Sequence, residues 1–520
     1  MQKQCKQCQK QFNIAEKDQD FYKRIKFPEP TLCPDCRCQR RLVLRNERTL
    51  YPDKCDSCGK KIISLYVADK PYKVYCYECF YSDKWNPLTY GQNYDFSRPF
   101  FEQFKELQLK VPRIYAYCVN NENSEYTNGS GYNKGCYMIF VSDHNEDSLY
   151  SYSVFNCRNV MDCINCYDCE LSYECSGCHN CFNSHHLTDC SNCNESQYCF
   201  DCKGCTSCFG CVGLRNAEYH IFNKKYTREE YNKRVETIHE LSLPKFNNLK
   251  SQHHYLYRQG LRNENSTGDY INRCKDSNNC YDSYDLENCQ NIINGNKAKD
   301  TYDGYMVGDN TELSNEILGS LTCNDCQVNF FTMNAYNCEY TDSCKSVKNL
   351  FGCVGLKNEE FCILNKKYEE EEFFKLKEKI IQHMQKTGEY GEFFPIKNSP
   401  FAYNETAAHE YYPLTKDEVQ KNLWQWQDEQ KKEIDWAFPV CLKCKKNFNF
   451  IPQEIKFYEQ QKIAKPQVCF NCRHLARLQE RHPRKLFDRQ CAECQVSLKS
   501  TYAPDREEKI YCETCYNNQI

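Results

Sequence analysis

The length, composition and charge of the chain exclude several classes of protein. At 520 residues it is too long for one hydrophobic core, so we expect several domains. Its 42 cysteines would indicate disulfides in a secreted protein, but the polar start of the sequence does not resemble a signal peptide. It contains no apolar run of about 18 residues, so we expect no membrane span and a reducing, cytoplasmic location. The net charge of −3 gives no global attraction to nucleic acid, so any such affinity must come from local patches.

The two ends of the chain carry one cysteine pattern twice, at a constant offset of 436 residues. Each copy is C-x2-C-x24-C-x2-C followed by C-x2-C-x17-C-x2-C. Two CxxC pairs supply four thiolates to one tetrahedral ion, so the pattern predicts four closed, structural Zn2+ sites per chain, two at each end. Redox or iron–sulfur chemistry is the weaker interpretation, because redox CxxC motifs usually occur singly. Sequential and cross-braced pairing both stay open. The predicted ligands are Cys5, Cys8, Cys33, Cys36, Cys55, Cys58, Cys76, Cys79, Cys441, Cys444, Cys469, Cys472, Cys491, Cys494, Cys512 and Cys515.

A basic segment follows the second CxxC pair of each copy. Four arginines recur there at spacings of four, four and three residues, which places them on one face if the segment is helical. Like charges on one face destabilise a helix, so their repetition suggests an external anion, and the planar fork of arginine suits phosphate. The alternative is a solvated face with internal acidic partners. The residues predicted to bind nucleic acid or another partner are Arg37, Arg41, Arg45, Arg48, Arg473, Arg477, Arg481 and Arg484.

Aromatic, proline and arginine positions extend the duplication around the first two CxxC pairs. The recurring residues are Phe12, Phe21, Tyr22, Pro30 and Arg37 in the first copy and Phe448, Phe457, Tyr458, Pro466 and Arg473 in the second. With their cysteines, these residues resemble a family described as a probable zinc-ribbon domain. The resemblance covers about forty residues at each end and implies zinc binding, without a known reaction.

The middle of the chain is a second duplication, with an offset of 142 residues. From Cys157 to Cys211, fourteen cysteines are separated by multiples of three, with a beat of twelve residues. This period fits neither an α-helix nor simple alternation, and it predicts a parallel β-solenoid in which each coil brings a small residue to one inward point. The matching segments are 121–124 with 263–266, 209–214 with 351–356, and 223–226 with 365–368.

The same cysteines could alternatively form a metal cluster. In the second copy, however, Cys169 corresponds to Thr311 and Cys193 to Ala335, and only three of the fourteen align with cysteine. A metal shell would not survive such replacements, whereas a packed interior ladder would, because free cysteine behaves as a small hydrophobe. We therefore favour a solenoid core over a metal cluster.

The layout as a whole resembles uncharacterised cysteine-rich bacterial proteins in which zinc ribbons flank a repeat region. The resembling segments are 121–126, 209–216, 391–395 and 403–406. The solenoid period is also similar to that of the β-helices of tubulin cofactor C and cyclase-associated proteins, which is a likeness of fold only. Neither resemblance implies an established activity.

These observations predict a mainly β fold, with four-cysteine zinc-ribbon modules at both ends of a duplicated parallel β-solenoid (β-helix) that carries short helices. The expected domains are a double zinc-ribbon module at 1–90, solenoid repeats with terminal helices at 91–245 and 246–387, an aromatic connector at 388–437, and a second double zinc-ribbon module at 438–520.

The sequence carries no local signature of catalysis. It lacks the common phosphate-loop, dinucleotide-binding, zinc-protease and nucleophile-elbow motifs, so we nominate no catalytic residue and no small-molecule substrate. The leading hypothesis is a non-enzymatic zinc scaffold whose terminal modules bind nucleic acid, such as structured RNA, or a nucleoprotein. A protein–protein adaptor with a solenoid binding surface is the alternative, and a metal-storage or redox protein is the third hypothesis.

Overall fold

The protein is a duplicated parallel β-solenoid with a four-cysteine module at each end, which confirms the predicted fold class. The computed structural model describes residues 1–238, 243–308, 318–324, 330–428, 434–435 and 437–519. Thr311, the counterpart of Cys169 in the second repeat, lies outside these residues. Within them, none of the helices combines the length and the apolar character needed to cross a membrane.

The N-terminal module has two halves, and each contains an antiparallel hairpin with one CxxC pair and a helix that begins at the next pair. Its elements are β1 (Gln2–Gln4), β2 (Gln11–Asn13), α1 (Glu16–Arg24), α2 (Pro34–Leu42), β3 (Tyr51–Lys54), β4 (Lys61–Ser64), β5 (Val74–Tyr75) and α3 (Tyr77–Phe80), and α4 (Phe100–Lys110) follows the module. The first CxxC pair of each half lies in an antiparallel hairpin, β1–β2 or β3–β4. The second pair begins at a helix N-cap, with Cys33 before α2 and Cys76 before α3. Each half thus joins a turn and a helix start at its cysteines.

The first solenoid repeat stacks short parallel strands coil upon coil. Its elements are β6 (Arg113–Ile114), β7 (Cys118–Val119), β8 (Ser130–Gly131), β9 (Tyr152–Phe155), β10 (Ile164–Tyr167), β11 (His185–Thr188), β12 (Gln197–Phe200), β13 (Thr206–Phe209), β14 (Glu218–Ile221), β15 (Lys224–Lys225), α5 (Arg228–Val235) and α6 (Leu243–Gln252). Consecutive coils pair in parallel, for example β9 with β10 and β11 with β12.

The second repeat follows the same plan with two irregular coils. Its elements are β16 (Tyr255–Leu256), β17 (Gly268–Asn272), β18 (Cys280–Tyr284), β19 (Tyr305–Gly308), β20 (Leu318–Asn324), β21 (Phe330–Tyr336), β22 (Lys348–Phe351), β23 (Glu360–Ile363), β24 (Lys366–Lys367) and α7 (Glu370–Thr387). Glu264 bridges to Lys275, eleven residues on, and Tyr305 pairs with Leu318, thirteen residues on. Equivalent positions of the two repeats between these coils are therefore 141 rather than 142 residues apart.

A regular coil consists of four triplets, and each triplet position has its own role. Second-position residues bridge to the residue twelve positions on, as Glu122 does with Lys134. Third-position residues have positive φ, such as 53° at Asn156, which Asn, Asp and Gly tolerate best. First-position residues point inward. All fourteen cysteines from Cys157 to Cys211 occupy this position, unbridged by disulfides and at most 1 % exposed, so the predicted interior ladder is present.

The inward N–H groups explain why these positions carry cysteine, serine and asparagine. The second-position N–H of Tyr137 donates to the carbonyl of Ser148 at 3.1 Å, within the main-chain ladder. The first-position N–H of Cys136 instead donates to Ser124 Oγ, one coil earlier, at 3.0 Å. The Cys136 thiol in turn accepts the N–H of Ser148, one coil later, at 3.5 Å. A small polar side chain at the inward position therefore satisfies a buried donor, which would cost about 1–3 kcal/mol if left unpaired.

An aromatic connector follows the second repeat and completes the main core. It contains α8 (Ala407–Tyr411) and α9 (Lys416–Lys421). Tyr403 is fully buried and stacks on Trp424, with ring centroids 5.6 Å apart. The same core includes Phe21 of α1, Phe100 of α4 and Phe351 of β22. The connector thus holds the N-terminal module against the second repeat.

The C-terminal module repeats the architecture of the N-terminal one. Its elements are α10 (Pro452–Gln461), α11 (Phe470–Glu480), β25 (Phe487–Gln490), β26 (Ser497–Ser500), β27 (Ile510–Tyr511) and α12 (Glu513–Asn517). An isolated antiparallel bridge between Val440 and Asn447 takes the place of its first hairpin. Cys469 and Cys512 are the N-caps of α11 and α12.

An asparagine amide closes the last coil of each repeat. Asn365 Oδ1 accepts the N–H of Val354 at 2.8 Å, and its Nδ2 donates to the carbonyl of Val354 at 2.8 Å. Asn223 makes the same two bonds to Val212 at 2.9 and 2.8 Å. Each amide thus makes the hydrogen bonds that the main chain of a further coil would otherwise make. These are the first residues of the two Asn-Lys-Lys-Tyr segments that the duplication repeats.

We expect Asn365→Ala to open the last coil of the second repeat. The loss of both bonds at the buried Val354 should cost about 2 kcal/mol locally, or roughly a 30-fold faster amide exchange around it. Hydrogen-exchange mass spectrometry of residues 350–362 measures this. Asn358→Ala is the control, because Asn358 also has positive φ but an exposed side chain. Equal effects of both variants would show that the amide closes nothing.

Candidate metal centres

The sixteen predicted cysteine ligands come together as four tetrads. Within each tetrad the Sγ atoms all lie within 4.8 Å of one another. Each tetrad combines two CxxC pairs that follow one another in sequence, so the pairing is sequential rather than cross-braced. In the part of the chain that the structure describes, these tetrads are the groups of three or more Cys, His, Asp or Glu side chains close enough to share an ion.

Main-chain N–H groups point at the sulfur atom of the first cysteine of each tetrad and favour its thiolate form. The N–H of Cys469 donates to Cys441 Sγ at 3.3 Å. Burial raises the pKa of Cys441, but N–H groups from Cys444 and Cys469 outweigh it and lower this pKa to about 6. The same balance lowers the pKa of Cys491 to about 6. Thiolates held this way are ready-made metal ligands.

Each tetrad has a donor set that fits a closed metal site. Four thiolates complete a tetrahedral shell and leave no position for substrate or water. The first tetrad of each module is mostly buried, whereas Cys58 and Cys494 in the second tetrads are exposed. Such an arrangement can fix a turn to a helix start, and it offers no open coordination position for catalysis.

The two arginine stripes are not exposed, contrary to the predicted binding faces. Their eight side chains are between 2 and 9 % exposed. Helix α2 ends at Leu42 and α11 at Glu480, so only the first two arginines of each stripe share a helical face. A guanidinium buried in an ion pair cannot bind an external phosphate in this conformation. The residues concerned are Arg37, Arg41, Arg45, Arg48, Arg473, Arg477, Arg481 and Arg484.

The N-terminal stripe is paired with carboxylates inside the protein. Arg37 Nε lies 3.0 Å from Asp303 Oδ2, and Arg41 also contacts this carboxylate, which is fully buried. Arg45 pairs with Glu47 at 3.1 Å. Arg48 pairs with Glu410 of the connector at 2.7 Å. The alternative of internal acidic partners is therefore what the structure shows, although the face is buried rather than solvated.

The C-terminal stripe is paired in the same manner. Arg473 Nε and Arg477 Nη2 each lie 2.8 Å from a carboxylate oxygen of Asp162, which is fully buried. Arg481 and Arg484 both pair with Asp282 of the second repeat. Burial raises the pKa of the Asp282 carboxyl, but the charges of Arg481 and Arg484 outweigh this and lower it below its usual value. The lowered pKa favours the ionised form of Asp282 in its pairs with Arg481 and Arg484.

Asp162 and Asp303 occupy equivalent positions in the two solenoid repeats. They lie 141 residues apart, the offset that the eleven-residue coil creates, and both have positive φ. The N-terminal module uses the aspartate of the second repeat and the C-terminal module that of the first. Aromatic side chains also join each module to the same repeat as its first arginines. The ring centroids of Phe21 and Tyr302 are 3.8 Å apart, and those of Tyr458 and Tyr173 are 6.0 Å apart.

The second half of each module contacts the opposite repeat from its first half. Strand β5 pairs in parallel with β6, which leads into the first repeat. Strand β27 pairs in the same way with β16, which leads into the second repeat. Each module therefore touches both repeats, one through a strand and the other through its first two arginines, and Arg481 and Arg484 add a contact with the second repeat. We call these contacts, the strand pairs and arginine–carboxylate pairs by which each module touches both repeats, the crossed braces.

The sequence pattern did not identify the acidic partners of the arginines. Asp162 and Asp303 are third-position residues, and Asn and Asp fill that position so often that two particular aspartates do not stand out. Their recurrence at equivalent coil positions is a usable signal, but the eleven-residue coil at Glu264 shifts it by one residue from the main offset.

Comparison of the chain with protein-family models gave no match, and comparison with curated proteins gave no match either. The zinc-ribbon resemblance of the terminal modules therefore rests on the cysteine tetrads themselves.

We expect about four zinc ions per chain, because four thiolate tetrads are preformed. Elemental analysis of protein purified without added metal measures this. Cys469→Ser should lower the content by about one ion and disturb the start of α11, leaving the other three sites loaded. A content well above four would instead indicate that the interior cysteines also bind metal.

Removing the Asp303 carboxylate, which Arg37 and Arg41 share, should loosen the N-terminal module from the second repeat. Asp303→Asn leaves Arg37 and Arg41 buried without their counter-charge, which typically costs about 3–5 kcal/mol. We expect faster amide exchange and proteolysis in α1 and α2. Asp285→Asn is the matched control, since Asp285 has positive φ and pairs with Arg273 at 2.6 Å, but at the exposed surface. That change should cost about 1 kcal/mol or less. Comparable effects of the two variants would argue against the brace.

Proposed function

We propose that the protein is a non-enzymatic, zinc-stabilised scaffold that binds a macromolecular partner. The observation that carries the proposal is the use of both arginine stripes as internal braces. The first arginine of each stripe directly follows a cysteine of a tetrad. Arginines of each stripe form ion pairs with carboxylates of the solenoid or the connector. The modules are built to hold the two repeats in one arrangement, which is what a binding platform requires.

Zinc has a defined role in this proposal. Cys33 and Cys36 start helix α2, and the next residue is Arg37, so an ion in the first tetrad would fix the direction in which the stripe leaves. Cys469, Cys472 and Arg473 repeat this arrangement at α11. Because four thiolates favour Zn2+ and close its shell, the metal contributes folding free energy and no catalytic chemistry.

A binding function suits the remaining surface. Solenoids offer extended faces, and the coils carry outward charged residues such as Glu122, Lys134 and Glu170 at the bridging position. The tetrads themselves leave no open metal position at which a small-molecule substrate could bind. The proposed partner is nucleic acid or a nucleoprotein, and a protein partner is the alternative.

Zinc dependence of partner binding tests the scaffold. Immobilised zinc-loaded protein should retain a defined macromolecule from cell extract, and zinc removal with a chelator and thiol reagent should abolish retention. Limited proteolysis should then cleave within 1–90 and 438–519 while residues 118–238 resist, because the solenoid ladder needs no metal. Reloading with zinc should restore both properties. Retention that survives complete zinc removal would contradict the proposal.

A further inference from the structure

The first half of the C-terminal module carries an exposed cluster of lysines. Residues 438–468 contain two carboxylates, and one of them, Glu454, is buried 3.3 Å from Arg473. Within residues 438–468 Glu459 is the exposed carboxylate, and exposed Asp435 lies at the edge of the segment, where its main chain bonds to Asn447 and Phe438. A protein with a net charge of −3 thus presents a locally basic face. We call it the lysine patch, and its members are Lys443, Lys445, Lys456, Lys462 and Lys465, all exposed.

The duplication shows that these lysines are not needed to fold the module. Four of the five have a neutral or acidic counterpart 436 residues earlier. The N-terminal copy nevertheless forms its tetrad and the helix equivalent to α10, which begins at Glu16, the counterpart of Pro452. The counterparts of Lys443, Lys445, Lys456 and Lys465 are Gln7, Gln9, Asp20 and Glu29.

Two exposed apolar side chains lie beside the lysines. Phe438 is 44 % exposed and Leu442 is 57 % exposed. The N–H of Leu442 donates to the carbonyl of Gln467 at 3.1 Å, which places Leu442 next to the segment that carries Lys465. Their N-terminal counterparts are polar, Gln2 and Lys6. The net charge of residues 438–468 is +4, close to the +3 of residues 2–32, so the C-terminal copy differs in where its lysines lie and in the exposed apolar groups beside them.

This combination matches the chemistry of single-stranded nucleic acid. Lysine is a compact charge on a flexible stem that neutralises phosphates without a fixed geometry, and an exposed phenyl ring can stack on a base. An acidic protein surface would use the lysines but has no particular need for the ring. We propose that the lysine patch, with Phe438 and Leu442, binds the phosphodiester backbone and bases of single-stranded nucleic acid. The inference rests on the proposed scaffold function and assigns its partner class.

The duplication supplies a variant that should keep the fold. Four patch lysines are replaced with the residues found at the equivalent positions of the N-terminal module. Because that module folds with these residues, the variant should test the surface without unfolding it. The substitutions are Lys443→Gln, Lys445→Gln, Lys456→Asp and Lys465→Glu. The control removes the same charge from exposed lysines of α5 and α7, through Lys375→Gln, Lys379→Gln, Lys233→Asp and Lys386→Glu.

Fluorescence anisotropy with single-stranded RNA and DNA of about 20 nucleotides measures the binding. Affinity of the unchanged protein should fall roughly 100-fold between about 50 and about 200 mM salt, as about five phosphate contacts predict. The patch variant should bind at least about tenfold more weakly at low salt, with a salt slope smaller by about 3. Phe438→Ala should weaken binding and leave the salt slope unchanged, since the ring neutralises no phosphate. Zinc content should stay the same in all variants.

Three outcomes would overturn the inference. The patch variant could bind the oligonucleotides as well as the unchanged protein, or the control could weaken binding equally, which would reduce the effect to net charge. Zinc-dependent partner retention that survives nuclease but is lost in the patch variant would assign the patch to an acidic protein and leave the scaffold proposal standing. Partner retention that does not depend on zinc would instead contradict the scaffold proposal itself. Parallel titrations distinguish RNA from DNA as the source of the phosphates.

Discussion

The solenoid depends on how it satisfies the N–H groups that point into its interior. The second- and third-position N–H groups pair along the main-chain ladder, but the first-position N–H needs a side chain one coil earlier, as Cys136 needs Ser124. At many inward positions that side chain is small enough for a narrow interior and able to accept a hydrogen bond, whereas Ile139, Val154 and Leu187 fill others with apolar groups. Serine, asparagine and cysteine meet both conditions, and the thiol also behaves as a small hydrophobe. The high cysteine content of the middle of the chain follows from this constraint.

The sequence carries the information for the parts of the fold in which one residue type has one role. The tetrads and the twelve-residue beat were predictable because metal geometry and coil stacking restrict spacing directly. The fate of the arginines was not predictable, because Arg37 has the same local pattern whether its partner is a phosphate or Asp303. Tertiary contact decides between them, and the sequence separates these two residues by 266 positions.

The crossed braces explain why arginine is used inside. A buried ion pair repays its desolvation only with good geometry and additional hydrogen bonds. Arg473 meets this condition: beyond its contacts with Asp162 and Glu454, it donates to the carbonyl of Val468 and lies over the Tyr150 ring. The planar guanidinium can make all these contacts at once, whereas a lysine ammonium could not. The pairs specify one arrangement of two repeats that are otherwise similar enough to be confused.

The two copies of the terminal module separate structural from other constraints. The tetrads, the aromatic anchors and the first arginines are the same in both copies, and each has a structural role in both. Positions outside these sets are free to diverge, and Lys465 and Glu29 show that they have done so in charge. The exposed Phe438 and Leu442 are not explained by folding, because the other copy folds with Gln2 and Lys6 at these positions. In the described part of the chain, the eight stripe arginines are buried in ion pairs, and the lysines of the patch are exposed.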